Sequence, residues 1–236
     1  MDTLDRFGAE WFVQAGDVVF DIGAFDGDTA TAYWARGAST VYAFEPLARN
    51  RERMPGALAA DPGFRLVPYA LADRHGHQDL IVPRRSDGAA SLSRAFFDMT
   101  KRDDVDAGEI HTVETRRLDD LDLPRASFWK IDVEGAELGV LRGAERTLRE
   151  SPPEALQVEI FLLDEAVYLE TLNRLQQSFR HVWAIGVKAA GELVHYDITT
   201  TTISNPQFHV DLANGGTPHY YASSRRFPEW HARAIG

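Results

Sequence analysis

Cysteine is absent from this chain, which removes disulfides, thiolate metal sites and a cysteine nucleophile from consideration. Positive charge is in deficit: 25 Lys and Arg stand against 36 Asp and Glu, a formal net charge of -11. A field of that sign opposes a phosphate backbone or an anionic membrane over most of the surface, so neither nucleic acid nor a membrane is an expected partner. Long apolar runs are missing too, and no segment approaches the roughly 20 residues of a membrane-spanning helix. The opening "MDTLDRFGAEWFVQAG" carries acidic residues where a signal peptide needs a basic start. The expectation is a soluble cytoplasmic protein.

What the chain does have is enough apolar sequence for one core. With 236 residues, 44% of them hydrophobic, it reads as a single α/β domain over residues 1–236, with a helical lead at 1–16. Six short β-branched and aromatic runs end near turn residues: "DVVFDIG" (17–23), "TVYAFEP" (40–46), "FRLVPYALA" (64–72), "FWKIDVEG" (128–135), "ALQVEIF" (155–161) and "HVWAIG" (181–186). Helical stretches at 29–36, 47–60, 137–150 and 164–179 lie between most of them. Strand alternating with helix predicts a doubly wound, mostly parallel sheet.

Two intervals break the rhythm. Residues 73–127 exceed one crossover helix and should hold strands at 77–83 and 110–118 around a helix at 90–100. Residues 187–207 contain "GELVHYDITTTT", a hairpin strand with a Thr-rich end. In open α/β sheets such insertions are natural substrate-side walls.

The first strand delivers Asp21 into "GAFDGDTA", where Gly23 and Gly27 let backbone approach a ligand at a helix start. An ordinary tight turn explains a glycine pair equally well; the acid that follows adds weight. Glu45 closes the second strand, where a carboxylate can accept hydrogen bonds from both hydroxyls of a ribose. A ribose alone does not separate a dinucleotide from S-adenosylmethionine. The loop does, because it lacks the G-x-G-x-x-G pattern and places Asp26 and Asp28 where a pyrophosphate would be repelled. Two carboxylates instead suit a ligand bearing an ammonium and a sulfonium. Pro46 steers the chain away from the ribose site, and Asp73, at the end of "ALAD", is a weaker candidate for the adenine amino group.

"FWKIDVEG" raises the question of chemistry. Alternation sends Trp129, Ile131 and Val133 to one face and Lys130, Asp132 and Glu134 to the other, whereas a central parallel strand is normally apolar on both. Buried charges must pair or open into a cleft. A Lys130–Asp132 pair that merely supports the sheet is the plain reading; a cleft lined by Lys130, Asp132, Glu134 and, from a neighbouring strand, Glu159 is the functional one. Methyl transfer is an in-line displacement that asks the protein to align an acceptor and take its proton, and a carboxylate here is the available base. The same carboxylates are a candidate Mg²⁺ set, but Lys130 already supplies positive charge, so no metal is expected. His75 and His77 read as an exposed turn, and His111, His195 and His209 remain unassigned.

In order along the chain, "FDIGAFDGDT", "AFEPLARN", "ALAD", "TRRLDDL", "WKIDVEGAELGVLRGA" and "LQVEIF" resemble the FkbM-type S-adenosylmethionine-dependent methyltransferases. The resemblance implies a class I, Rossmann-like methyltransferase fold with a seven-stranded sheet. It also implies methylation, usually at oxygen, of small molecules, sugars or natural products. The cofactor residues it implies are Asp21, Gly23, Gly27 and Glu45, with Phe25, Asp26, Pro46, Ala72, Asp73 and Asp132 beside them. One departure stands out: the family's loop commonly reads D-x-G-A-N-x-G, and Phe25-Asp26 occupies the place of Asn and its follower. Two other readings stay open here, an NAD-dependent oxidoreductase and a non-catalytic cofactor-binding protein.

Overall fold

The run Val18–Ile22 forms β1, buried along nearly its whole length as the centre of a parallel sheet requires. A computed structural model describes residues 3–84, 87–100, 108–187, 193–198 and 219–224. On one side of β1 lie β2 (Thr40–Phe44) and β3 (Phe64–Val67), and on the other β7 (Phe128–Ile131) and β8 (Ala155–Glu159), all parallel. The direction of strand succession therefore reverses between β1 and β7, and in such sheets ligands bind outside the strand C-termini at that reversal. Beyond β8 come β11 (His219–Ser223), β9 (His181–Val187) and β10 (Leu193–Asp197), giving the order β10-β9-β11-β8-β7-β1-β2-β3.

Both faces are covered. Phe20, Trp129, Leu156 and Tyr220 share a core cluster with residues of α6 (Glu137–Gly143), α7 (Glu145–Glu150) and α8 (Glu165–Ser178). Val19, Phe128, Ala155 and Tyr221 pack with residues of α1 (Thr3–Phe12) and α2 (Asp28–Ala35). The polar series Asp21, Lys130 and Gln157 is in register across β1, β7 and β8, on this second face.

The doubly wound, mostly parallel sheet is as expected, with differences that have physical causes. The main sheet has eight strands rather than seven: the six runs and the expected hairpin strand, which forms the β10 edge, account for seven, and β11 is the eighth. β11, wedged antiparallel between β8 and β9, has no counterpart in the sequence reading. Pro68, lacking an N–H, ends β3, and the rest of "FRLVPYALA" becomes β4 (Ala70–Leu71) of a second sheet. The helix expected over 47–60 is two short pieces, α3 (Ala48–Arg51) and α4 (Gly56–Ala59), separated at Pro55. That expected over 137–150 breaks at Ala144, where the Asp119 carboxylate accepts from Arg146 N at 2.8 Å and Thr147 N at 2.9 Å and so caps α7 from outside.

The 73–127 interval holds β5 (Gly76–Val82), a 3₁₀ turn at Asp87–Ala89, α5 (Arg94–Thr100) and β6 (Glu109–Arg116). With β4 these strands make a three-stranded sheet in the order β4-β6-β5. Residues 188–192 and 199–207 of the other interval lie outside the described residues.

Candidate functional site

The glycine loop is shaped by contact with the end of β7. Gly23 has φ +88, and a Cβ built there would lie 1.8 Å from the Asp132 carbonyl oxygen, so no side chain fits. Asp21, fully buried, stands behind the loop and accepts a 2.7 Å hydrogen bond from the Thr29 hydroxyl of α2. Gly27, at φ +85, caps the start of α2. Phe25 is the unusual member, an aromatic residue held at φ +50, a region that costs a non-glycine residue about 1–3 kcal/mol.

Glu45, at the end of β2, holds Phe25 there. One carboxylate oxygen accepts from Phe25 N at 3.0 Å; the other accepts from Leu47 N at 2.8 Å and from Asn50 Nδ2 at 3.3 Å. Burial pushes this carboxyl up to about 7 against the pull of those donors.

Beyond β7 the chain leaves the strand at Asp132, and Glu134 turns over at φ +57. The fully buried Ser91 fixes that turn by donating its hydroxyl to the Glu134 carbonyl at 2.5 Å. Next, Gly135 has no room for a side chain, since a Cβ would meet Phe96 of α5 and Leu163 at 2.8 Å. Its N–H donates to the buried Glu137 carboxylate at 2.8 Å. Phe96 also stacks edge-on against Phe161, ring centroids 4.8 Å apart. The 87–100 segment is thus seated directly on the turn that carries Glu134.

β7 and β8 are neighbours, so Asp132, Glu134 and Glu159 converge, with one carboxylate oxygen of each within 4.8 Å of the others. Lys130, 3% exposed, pairs with Asp132 at 2.7 Å. Three carboxyls around one ammonium cannot all ionise at neutral pH. Burial first, then the charges of Asp132 and Glu137, push Glu134 up to about 8. Burial and Asp132 hold Glu159 far above the usual carboxylate range, and burial lifts Glu137 to about 7. At neutral pH the cluster therefore combines a charged Lys130–Asp132 pair with protonated acids that donate hydrogen bonds.

Two cavities meet at the loop. One, of about 60 Å³, lies between Phe44, Glu45, Pro46 and Asn50 on the sheet side and Leu80 and Leu92 of the inserted segment. The other, of about 270 Å³, is lined by Asp26, Asp28, Thr29 and Lys130. Gly23, Phe25, Gly88 and Asp132 belong to both. The narrow cavity joins apolar walls to the carboxyls of Glu45, Asp132 and Glu134, of which Glu45 suits a ribose; the wider one is polar and charged, as suits an amino-acid end. Together with the side-chain-free approach at Gly23, this donor set fits S-adenosylmethionine.

The structure thus gathers Gly23, Phe25, Asp26, Glu45, Pro46, Lys130, Asp132, Glu134 and Glu159 around one cleft. Asp21 and Gly27 support it from behind. Ala72 and Asp73 line neither cavity: Ala72 is buried against Gly143 of α6, and Asp73 is exposed at the helix side, 3.9 Å by its backbone N from where a Cβ of Gly139 would stand. His75 and His77 are exposed, His111 meets Glu109 at 3.2 Å, and none of the three enters the carboxylate cluster; His209 lies outside the described residues. Sequence reasoning missed Ser91, Asn50 and His219. His219, 2% exposed, faces Glu159 in register across β8 and β11. Pairings distant in sequence carry Ser91 and His219, whereas Asn50 lies five positions from the Glu45 carboxylate to which it donates.

Comparison with known proteins adds the following. A family model described as a methyltransferase FkbM domain matches residues 21–186, more than half of the chain. Among solved structures, the chain is similar to an FkbM methyltransferase from Methylobacillus flagellatus KT, with 17% identity and a TM-score of 0.52 over 78% of this chain and 44% of that one. The chain therefore spans less than half the length of that relative. Weaker likenesses include an O-methyltransferase from Thermotoga maritima, 12% identical over 96% of this chain and 67% of that one with TM-score 0.47. A precorrin-6y C5,15-methyltransferase from Geobacter metallireducens GS-15 is 12% identical over 94% of this chain and 86% of that one, with TM-score 0.45. At 17% identity the likeness to the Methylobacillus flagellatus structure is one of fold. No curated protein matches the sequence.

Proposed function

The chain belongs to the FkbM methyltransferase domain family, and from that premise we propose that it methylates a hydroxyl of a small-molecule acceptor, with S-adenosylmethionine as donor. When bound, that donor supplies an electrophilic methyl carbon on a sulfonium. Glu45 would hold the ribose, the apolar walls at Phe44 and Leu80 the adenine, and Asp26 with the Lys130–Asp132 pair the charged amino-acid end.

The observation that carries the reading is the convergence of Asp132, Glu134 and Glu159 beside the glycine loop. An in-line displacement needs its acceptor oxygen aligned and relieved of a proton. Protonated Glu159 can donate a hydrogen bond that orients the acceptor. Glu134, near 8, gives up its proton close to working pH and can then accept the acceptor's. Glu137 braces the turn from behind through Gly135 N. The carboxylate spacing also suits a divalent cation, but Lys130 already neutralises Asp132, which favours a metal-free base.

The test is transfer of isotopically labelled methyl from S-adenosylmethionine to a panel of hydroxylated and aminated small molecules, with RNA as a further substrate. Labelled hydroxyl acceptors, made equally well in EDTA, are the expected products. Glu134→Gln should lower kcat at least 100-fold while S-adenosylhomocysteine binding stays within threefold. Labelled RNA, an EDTA-sensitive reaction, or full turnover by Glu134→Gln would overturn the corresponding part of the reading.

A further inference from the structure

Phe25 is a bulky aromatic residue in a left-handed backbone conformation, at the one point shared by the two cavities. Its N–H is fixed by Glu45 at 3.0 Å, and its ring edge faces Gly88, where an added Cβ would lie 3.6–3.8 Å from three ring atoms. The backbone is held, so the point from which the ring projects is set in advance. A strained residue held in place by a buried carboxylate points to a function that offsets the strain.

The chemistry of the join suggests what that function is. If the narrow cavity takes adenosine and the wide one the amino-acid end, the atom linking those halves is the sulfur. Of the four residues common to both cavities, Gly23 and Gly88 present no side chain, leaving the Phe25 ring and the Asp132 carboxylate. An aromatic face attracts a cation through its quadrupole, more strongly where the pair is desolvated. The Asp132 carboxylate is paired with Lys130, so its field at a nearby sulfonium is partly cancelled.

We infer that the Phe25 ring is a cation–π partner for the sulfonium and sets the preference for the methylated donor over its neutral demethylated product. The inference rests on the cofactor reading above and adds a specific residue to it. It gives a physical role to the aromatic residue standing where the resembling family commonly has Asn.

Calorimetric titration of the full chain with S-adenosylmethionine and, separately, with S-adenosylhomocysteine tests it without any acceptor. Phe25→Leu keeps an apolar wall without a π face and should weaken S-adenosylmethionine binding about 3- to 20-fold, with S-adenosylhomocysteine changed less than twofold. Phe25→Tyr, which keeps the face, should preserve the wild-type ratio of the two dissociation constants. Equal weakening of both ligands by Phe25→Leu, or no weakening of either, would overturn the inference and leave the cofactor reading intact. A wild-type chain that binds neither ligand would overturn both.

Discussion

At the scale of single residues, the account turns on carboxyl groups that burial prevents from ionising in the ordinary range. Glu134 is lifted by desolvation and by two neighbouring acids, and only Lys130 opposes them. Run against pH, the methyl-transfer assay should therefore show turnover rising as Glu134 ionises, levelling above about 8. A rate flat from pH 6 to pH 9 would mean that some other group takes the proton. Much of this site was legible in the sequence. Three charges at alternate positions of "FWKIDVEG" conflict with a central strand, and the conflict itself pointed to a cleft. The backbone turn that aims Glu134 was not legible, because φ +57 at a glutamate is imposed by Ser91, 43 positions away. Asp73 illustrates the reverse: a strand-end acid in a suggestive motif that the structure sets apart from both cavities.

At the scale of elements, periodicity located the parallel strands because each is rich in apolar, β-branched or aromatic residues; β1, β7 and β8 are buried along almost their whole length, whereas β3 at the sheet edge exposes Arg65 and Leu66. It could not locate β11, whose five residues "HYYAS" owe their strand form to being inserted between β8 and β9. Helix boundaries failed where tertiary contacts intervened, as when Asp119 caps α7 and splits what reads as one helix. The inserted segment is the element with the most functional consequence. It contributes walls to the narrow cavity, sets Gly88 under Phe25 and latches Ser91 onto the Glu134 turn. Ser91→Ala should consequently lower kcat about tenfold with little change in cofactor affinity. Combined with Glu134→Gln it should add no further loss, because both act through one carboxylate. Additive losses in that double-mutant cycle would show that Ser91 acts elsewhere.

At the scale of the whole molecule, the raised carboxyls make stability depend on pH in a definite direction. Glu45 and Glu137 stand near 7 and Glu134 near 8 in the folded chain, against an ordinary value of 4.5. Between those limits the folded state keeps protons that the unfolded chain has released, so stability falls as pH rises. The melting temperature should be highest near pH 5 and drop by several degrees by pH 8, and Glu159, held higher still, should keep it falling beyond. Glu137→Gln, which can still accept from Gly135 N but does not titrate, should shrink the drop. A melting temperature that instead rises over that interval would contradict the burial assigned to these groups. Among the described residues no helix is long and apolar enough to cross a membrane.

The central claim is that the cleft between the glycine loop and the carboxylate cluster receives the methyl donor. A crystal structure of the full chain with S-adenosylhomocysteine tests it most directly. The account predicts ribose hydroxyls within hydrogen-bond distance of Glu45, and the sulfur between the Phe25 ring and Asp132, facing Glu134. A ribose away from Glu45, or a sulfur turned away from the carboxylate cluster, would contradict it.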